Sequence, residues 1–413
     1  MPSADEPYSG PVVPPHGSGY DQRRRRPITE IHGLIALWLN SILGSKEARE
    51  HICQLRGDAA KAYMDALQKF LDWMRDTKRI VATLPSASDQ ELRNMRRRSI
   101  RLLISLSKAS GELPPSLFIP ELEVDRLPGR DPEGGGEYAD IFKGSYLGRV
   151  TAFKRFRIFV ENRNTPTGRK RENQTMLFQE ALLWRQIDHP SILPFHGVWQ
   201  EKEYSIPYLL APWMEGGNAH DFGRAERPSK VIDQLLVEVV DGLAYLHREG
   251  IIHGDLTVNN VLVEENDGAY NARLCDFGLK ILFTSSSSEL YTPPSSSGGY
   301  GTVRWMAPET HFPTCAQQSF ETDMYQFGYV ALELYTGQVP FPEYQHEIQV
   351  AAAVVSGTRP QYPGAGKYGR TLPLTLWDVM KQCWKETPSD RPTADEVLRK
   401  LRDEVFVHHV SQP

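Results

Sequence analysis

His253-Gly254-Asp255-Leu256-Thr257-Val258-Asn259-Asn260, followed by Asp276-Phe277-Gly278, is the stretch of this 413-residue chain on which the fold turns. It supplies a carboxylate at Asp255, an amide at Asn260 and a second carboxylate at Asp276. Carboxylate and amide oxygens are hard ligands of the kind Mg²⁺ takes, and a carboxylate beside a hydroxyl can accept or orient its proton. Upstream stand Gly134-Gly135-Gly136-Glu137-Tyr138-Ala139-Asp140-Ile141, then Thr151-Ala152-Phe153-Lys154, then Glu180; downstream stands Ala307-Pro308-Glu309. Phosphoryl transfer needs backbone amides over the phosphates, a lysine on the alpha and beta phosphates, oxygen ligands for Mg²⁺ and a carboxylate near the attacking hydroxyl. Taken singly each signal is weak, since glycines serve ordinary turns. Six in this order, with Asp255 and Asn260 at a five-residue offset, are specific.

These motifs resemble those of the eukaryotic protein kinases, over about Phe118 to Phe406. The resemblance implies an α+β, two-lobed protein kinase fold: a small β-rich lobe and hinge over 118–214 and a large helical lobe over 215–406. It implies ATP as phosphate donor, Mg²⁺ as cofactor and protein substrates. Lys154 would neutralise phosphate charge, Glu180 would hold Lys154, Asn260 and Asp276 would hold the metal, and Asp255 would meet the substrate hydroxyl. The nucleotide pocket would be lined by Gly134, Gly135, Gly136, Ile141, Ala152, Pro212, Met214 and Leu262. Pro212 lacks an N–H, but the family asks only for a carbonyl there and for the amide of Met214. Ala211 at the gate position leaves room behind the adenine. Asp323 would brace the catalytic loop and Glu309 would pair with Arg391. Cys275, next to Asp276, reads as an inert buried thiol.

Three positions depart from that pattern. Ala139 stands at the third glycine of the phosphate loop, tolerable where φ is negative. Gly254 replaces the arginine that pairs with a phosphorylated activation loop, so loop phosphorylation is not expected to be the on-switch. Thr257 stands where serine/threonine kinases carry a lysine aimed at the gamma phosphate, and losing such a donor costs on the order of 10² to 10³ in rate. Gly301-Thr302-Val303-Arg304-Trp305-Met306-Ala307-Pro308-Glu309 resembles the tyrosine-kinase-like group; it favours Ser/Thr specificity and leaves dual or tyrosine specificity open. His189-Pro190-Ser191-Ile192-Leu193-Pro194-Phe195-His196-Gly197-Val198 and Ala211-Pro212-Trp213-Met214 resemble the expanded set of such kinases in mushroom-forming fungi. The rival reading is a weakly active or inactive pseudokinase scaffold.

The rest of the chain reads separately. Apolar content of 40% and charged content of 24% are globular values that exclude a mostly disordered or collagen-like chain. Residues 1–27, rich in Pro, Gly and Ser and ending in Arg23 to Arg26, read as a disordered tail. Residues 28–112 read as an all-α segment, a docking or regulatory module with a protein partner of its own. Ala60, Met64, Leu67 and Leu71 are spaced for a helix over 58–77 with Asp58 as N-cap. Ser88-Asp89-Gln90-Glu91 is a capping box opening a second helix. Arg96, Arg97 and Arg98 on that helix read as solvated arginines. Residues 1–120 carry 18 Lys+Arg against 13 Asp+Glu, the remainder 29 against 39. Long helical patterns follow at 229–249, 321–336, 344–356, 373–384 and 393–405, and the hydroxyl-rich Thr284 to Gly299 reads as a mobile loop. The four cysteines are scattered, with no zinc or disulfide pattern. No apolar stretch approaches the roughly 20 residues of a membrane span, and the Arg run lacks the interleaved aromatics of a nucleic-acid surface. A cytoplasmic protein is expected, with the nucleus left open.

Overall fold

The computed structural model describes residues 41–75, 87–126, 131–135, 139–156, 167–200, 207–277, 302–311, 318–364, 366 and 368–405. The expected tail 1–27, the loop Thr284 to Gly299, and the positions Gly136 and Gly278 lie outside them.

Among the described residues the N-terminal part of the chain, helical already over 41–44, includes α1 (Lys46–Cys53), α2 (Gly57–Trp73) and α3 (Asp89–Ser110). Ala60, Met64, Leu67 and Leu71 are buried on α2 as their spacing demands. Asp58, however, is not the cap. The helix opens one residue earlier, Arg56 holds the cap position without a side-chain bond, and Asp58 falls in the first turn. Its carboxylate still faces the positive end of the helix dipole there. The capping box of α3 forms as expected between Ser88 and Glu91, and the helix stops at Gly111, left-handed at φ 74.

The β-rich lobe is a six-stranded antiparallel sheet in the order β1 (Val124–Arg126), β3 (Ala139–Tyr146), β4 (Arg149–Phe156), β6 (Tyr208–Pro212), β5 (Gly197–Trp199), with β2 (Gly134–Gly135) paired to β3. Tyr146 faces Arg149 across a two-residue turn, Leu147-Gly148, in which both φ angles are positive. This is the turn geometry that matches the right-handed twist of a hairpin. Alternation along the strands separates two faces. One buries Phe142, Phe153, Tyr208 and Leu210 with Trp199 in an aromatic cluster of edge contacts, Phe153 to Trp199 at 5.7 Å. The other turns Ile141, Ala152, Lys154 and Ala211 toward the cleft, register partners across β3, β4 and β6. Ala139 pairs with Phe156 in the same ladder and is not left-handed, so its methyl is accommodated.

Helix α4 (Thr167–Trp184) crosses this sheet, and the helical lobe follows: α5 (Ala219–Gly223), α6 (Ser229–Glu249), the hairpin β7 (Val261–Asn266) with β8 (Ala269–Leu274), α7 (Phe320–Thr336), α8 (Glu347–Val355), α9 (Leu374–Cys383) and α10 (Ala394–Lys400). The last of the expected helical stretches ends early, passing into a single π turn over Leu401–Val405. Helix α7 is buried from Thr322 to Thr336, as befits a helix with apolar residues all round at the centre of its lobe.

Leu67 and Leu71 of α2, Leu103 and Leu106 of α3, and Leu177, Ala181 and Leu182 of α4 belong to one continuous core. Arg96 and Arg97 accordingly are not the solvated side chains their sequence suggests. Arg96 donates through Nε to Glu249 at 3.0 Å, through Nη2 to the Gln186 carbonyl, and keeps only 12% of its side chain exposed. Arg97 donates to the Glu249 carbonyl at 3.0 Å. The cause is the negative end of α6: its last carbonyls lack helical partners, and a cation there is worth about 0.3–1 kcal/mol. Among the described residues no helix is long and apolar enough to cross a membrane.

Candidate active site

Lys154 sits mid-strand in β4, paired with Ile141 on one side and Leu209 on the other, so its backbone is fixed by ladders on both edges. Its Nζ donates to Glu180 Oε1 at 2.7 Å and to Asp276 Oδ1 at 2.5 Å. Lys154 and Glu180 are buried, while Asp276 keeps 37% of its side chain exposed toward the cleft. Burial opposes the ammonium charge, but Asp276 and Glu180 outweigh it and hold the Lys154 pKa above its ordinary value. Burial pushes the Glu180 carboxyl upward against the pull of Lys154, and its second oxygen, Oε2, has no partner among the described residues. Asp276 takes a left-handed φ of 58. The next residue, Phe277, turns inward against Trp184 of α4 (6.3 Å) and His253 (6.4 Å).

The opposite wall is the loop 253–260. Asp323, fully buried near the start of α7, accepts from the amides of His253 and Gly254 at 2.8 Å each and faces His247 Nε2 at 2.9 Å. Gln326, one turn on, accepts from the Leu256 amide at 3.0 Å. Gly254 has φ 76, a conformation only glycine adopts without cost. Asn260 Nδ2 donates to the Asp255 carbonyl at 2.7 Å, which fixes the amide and turns its oxygen away from that bond. The Cys275 amide donates to the Asn260 carbonyl at 3.0 Å, so Asn260 and Asp276 are tied through one main-chain bond. Cys275 is buried, and burial raises its thiol pKa well above the ordinary range, consistent with an inert thiol.

Between the walls runs the connection from β6 to α5. The Trp213 amide donates to the Val150 carbonyl at 3.2 Å, whereas the Met214 amide has no backbone acceptor among the described residues. Gly216 donates to Val263, and Asn218 bridges Leu262, which sets the connection against β7. Ile141, Ala152, Pro212 and Leu262 are half-buried around it, Met214 is buried, and Gly134 and Gly135 are exposed at the cleft edge.

Of the nominated residues, Lys154, Glu180 and Asp276 are joined by direct bonds, and Asn260 is bonded to Asp255 and tied through Cys275 to Asp276. Glu309 meets Arg391 at 2.6 Å, and that guanidinium is wholly buried. Sequence reading assigned no role to His247, Gln326 or Arg304. The first two brace the loop through Asp323 and Leu256, and Arg304 donates to the carbonyls of Pro340, Phe341 and Tyr344 at 2.8–2.9 Å. Arg304 lies inside the stretch Gly301 to Glu309 and Gln326 three residues after Asp323; His247 carries no signal beyond its place near the end of a helix.

The family profile described as protein tyrosine and serine/threonine kinase matches residues 131–401. The chain is 26% identical to Serine/threonine-protein kinase STY46 of Arabidopsis thaliana over 65% of its own length and 42% of that protein. It is 28% identical to Receptor-interacting serine/threonine-protein kinase 1 of Homo sapiens over 56% of its length and 35% of that protein. Serine/threonine/tyrosine-protein kinase HT1 of Arabidopsis thaliana is 29% identical over 64% of this chain and 63% of its own length. The chain thus spans less than two thirds of each of these relatives. With Lys154 pinned between two carboxylates and the loop 253–260 hung on buried Asp323, the chain belongs to the protein tyrosine and serine/threonine kinase family.

Proposed function

We propose that this chain transfers the gamma phosphate of ATP to protein Ser/Thr hydroxyls as an intracellular signalling enzyme of the tyrosine-kinase-like group, akin to the expanded set in mushroom-forming fungi. The observation that supports this reading is the bonding of Lys154 Nζ to Glu180 and Asp276, with Asn260 bonded to Asp255 and to the Cys275 amide next to Asp276. Adenine would rest between Ala152 and Leu262, with the free Met214 amide as its donor and the Pro212 carbonyl as its acceptor. Lys154, positioned by Glu180, would meet the alpha and beta phosphates. Asp255 would accept or orient the proton of the attacking hydroxyl, worth about 10² to 10⁴ in rate for such a group.

The exposed carboxylate of Asp276 and the amide oxygen of Asn260 fit Mg²⁺, which prefers a few protein oxygens and completes its shell with phosphates and water. When bound, the ion offsets charge on the phosphate oxygens. Asp276 would hold it there while giving one oxygen to Lys154, so the same carboxylate couples the metal position to the lysine. The domain reading is a tail over 1–27, a helical module over 28–112 with a protein partner of its own, and a kinase domain over 118–406. The site would act in the cytoplasm or nucleus.

The test is transfer of labelled gamma phosphate from Mg²⁺-ATP to the protein itself and to a mixed Ser/Thr/Tyr peptide pool. Asp255→Asn and Lys154→Met proteins are purified identically. Loss of transfer in both, with label on Ser or Thr, is expected. Absence of transfer from the unsubstituted chain, with nucleotide binding retained, would overturn catalysis in favour of a scaffold.

A further inference from the structure

The N-terminal helices meet the kinase fold most closely at the turn that ends α4. Gln186, fully buried, donates through Nε2 to Gln68 Oε1 of α2 at 2.7 Å, and Gln68 is itself 1% exposed. Arg185 donates to Asp72 at 3.0 Å, an acceptor shared with Gln68. The carbonyls of Arg185 and Gln186 accept from the guanidinium groups of Arg75 and Arg96. Both side chains and both carbonyls of this two-residue turn are therefore held by the helical module. Arg96 reaches further: its Nε is 3.0 Å from Glu249 at the end of α6, so one guanidinium ties the small lobe to the large one.

Glu180 lies four residues, one helical turn, before Trp184, the last residue of α4, and Trp184 shares its face and packs on Phe277. Leu177, Phe178, Ala181, Leu182 and Leu183 are buried as well, so α4 is apolar on more than the side that faces the cleft. The last turn of α4, buried on more than one side, needs a neighbour on its outer side, which α3 provides, with α2 bonding the turn that follows. A swing or rotation of α4 away from the sheet would break the Gln68, Asp72 and Arg96 bonds and carry Glu180 off Lys154.

We infer that the helical module is a positioning element for phosphoryl transfer, with Arg96 and Gln68 as positioning residues that hold the end of α4 against α6 and thereby keep Glu180 on Lys154. The inference rests on the kinase reading above only for its rate readout. Arg96 is the sharper probe because its one guanidinium bonds both the main-chain carbonyl of Gln186, just after α4, and the carboxylate of Glu249 at the end of α6.

The test uses the full chain with Arg96→Met, which keeps the aliphatic stem, Arg96→Lys as the conservative variant and Arg98→Met at the exposed neighbour as control. Amide exchange over α4 without nucleotide is expected to quicken in Arg96→Met, to recover in part in Arg96→Lys, and to stay unchanged in Arg98→Met. In parallel kcat should fall about 10- to 100-fold in Arg96→Met, the scale of a displaced catalytic geometry, with peptide KM unchanged and partial rescue by lysine. Unchanged exchange over α4, or quickened exchange with unchanged kcat, overturns the inference while leaving the kinase reading intact. Should the unsubstituted chain transfer no phosphate, the kinase reading fails and exchange over α4 alone decides. Should Arg96→Met lower the global melting midpoint, Glu249→Gln reads the same contact from the other lobe with the same two outcomes.

Discussion

The two walls of the cleft are held by opposite means. One wall is closed through side chains: Lys154 and Glu180 of the small lobe and Asp276 of the large lobe come from three distant segments and bind one another through charge. The large-lobe wall hangs on main chain: Asp323 accepts from the amides of His253 and Gly254, and Gln326 from that of Leu256. A buried ion pair repays its desolvation only in part, so apolar replacement of both partners is often neutral or stabilising. Backbone amides have no such replacement, and removing their acceptor leaves them buried and unsatisfied. The first wall gains little stability from its charges; the second sets the shape of the loop 253–260.

The sharpest break of this contrast pairs two variants. Lys154→Met combined with Glu180→Leu is expected to lower transfer by about 10³ or more, as loss of both a charge clamp and its orienting partner implies. Its denaturant midpoint should stay the same or rise. Asp323→Leu is expected to cost about 2–6 kcal/mol, two orphaned amides at about 1–3 kcal/mol each, read as a lower midpoint in the same titration. Equal losses of stability at the two walls would erase the distinction.

A smaller effect tests the backbone of the second wall. Gly254 stands at φ 76, so Gly254→Ala should cost about 1–2 kcal/mol, the usual penalty of a left-handed L-residue. Gly254→Arg, which restores the family residue, should cost a similar amount, measured by the melting midpoint. A Gly254→Arg protein as stable as the original would show that the loop absorbs the strain elsewhere. Comparable in size is the expected gain from Thr257→Lys. Thr257 is buried before the short turn Val258–Asn260 and its side chain makes no capping bond there. A lysine reaching the gamma phosphate from that position should raise kcat about tenfold or more; an unchanged kcat would mean the cleft stabilises that charge by other groups.

The difference between the walls also explains what the sequence could disclose. The kinase family was legible because the motifs that hold Lys154, Asp255, Asn260 and Asp276 admit few residue types and follow one another in a fixed order. Asp323 and Glu309 were legible through the motifs around them. The docking of Arg96 and Arg97 was not, because a basic helix face reads alike whether it meets water or carbonyls. Their partners are the carbonyls of Gln186 and Glu249, and every residue has a carbonyl, so the contact leaves no mark on the partner's identity. Gln68 and Gln186 are similarly opaque: a glutamine on an apolar stripe betrays a buried partner only once α2 and α4 are side by side. The start of α2 at Gly57 rather than at an Asp58 cap shows the same limit locally, since an acidic residue suits either position.

The smallest expected effect is a pH profile of stability set by buried histidines and one buried carboxyl, with only His253 among them on the second wall. Burial lowers the pKa of His253 in the catalytic loop, and likewise those of His189, His196, His220 and His311. Their unfolded counterparts take up protons at the ordinary value of about 6.5. Below it the unfolded chain binds more protons than the folded one, so stability falls as pH drops. Glu333 has the opposite sign: burial pushes its carboxyl up to about 8, so between its ordinary value and that point the folded chain holds a proton the unfolded chain releases. Stability therefore falls as pH rises toward 8. The two limbs enclose a maximum between about 6.5 and 8, and Lys154, held above its ordinary value, keeps its proton throughout. Denaturant midpoints from pH 5.5 to 8.5 should trace that maximum, and Glu333→Gln should flatten the alkaline limb and steepen the acid one. A profile that climbs steadily to pH 8.5 in the unsubstituted chain would show that Glu333 is ionised in the fold, with His220, 2.8 Å away, protonated beside it.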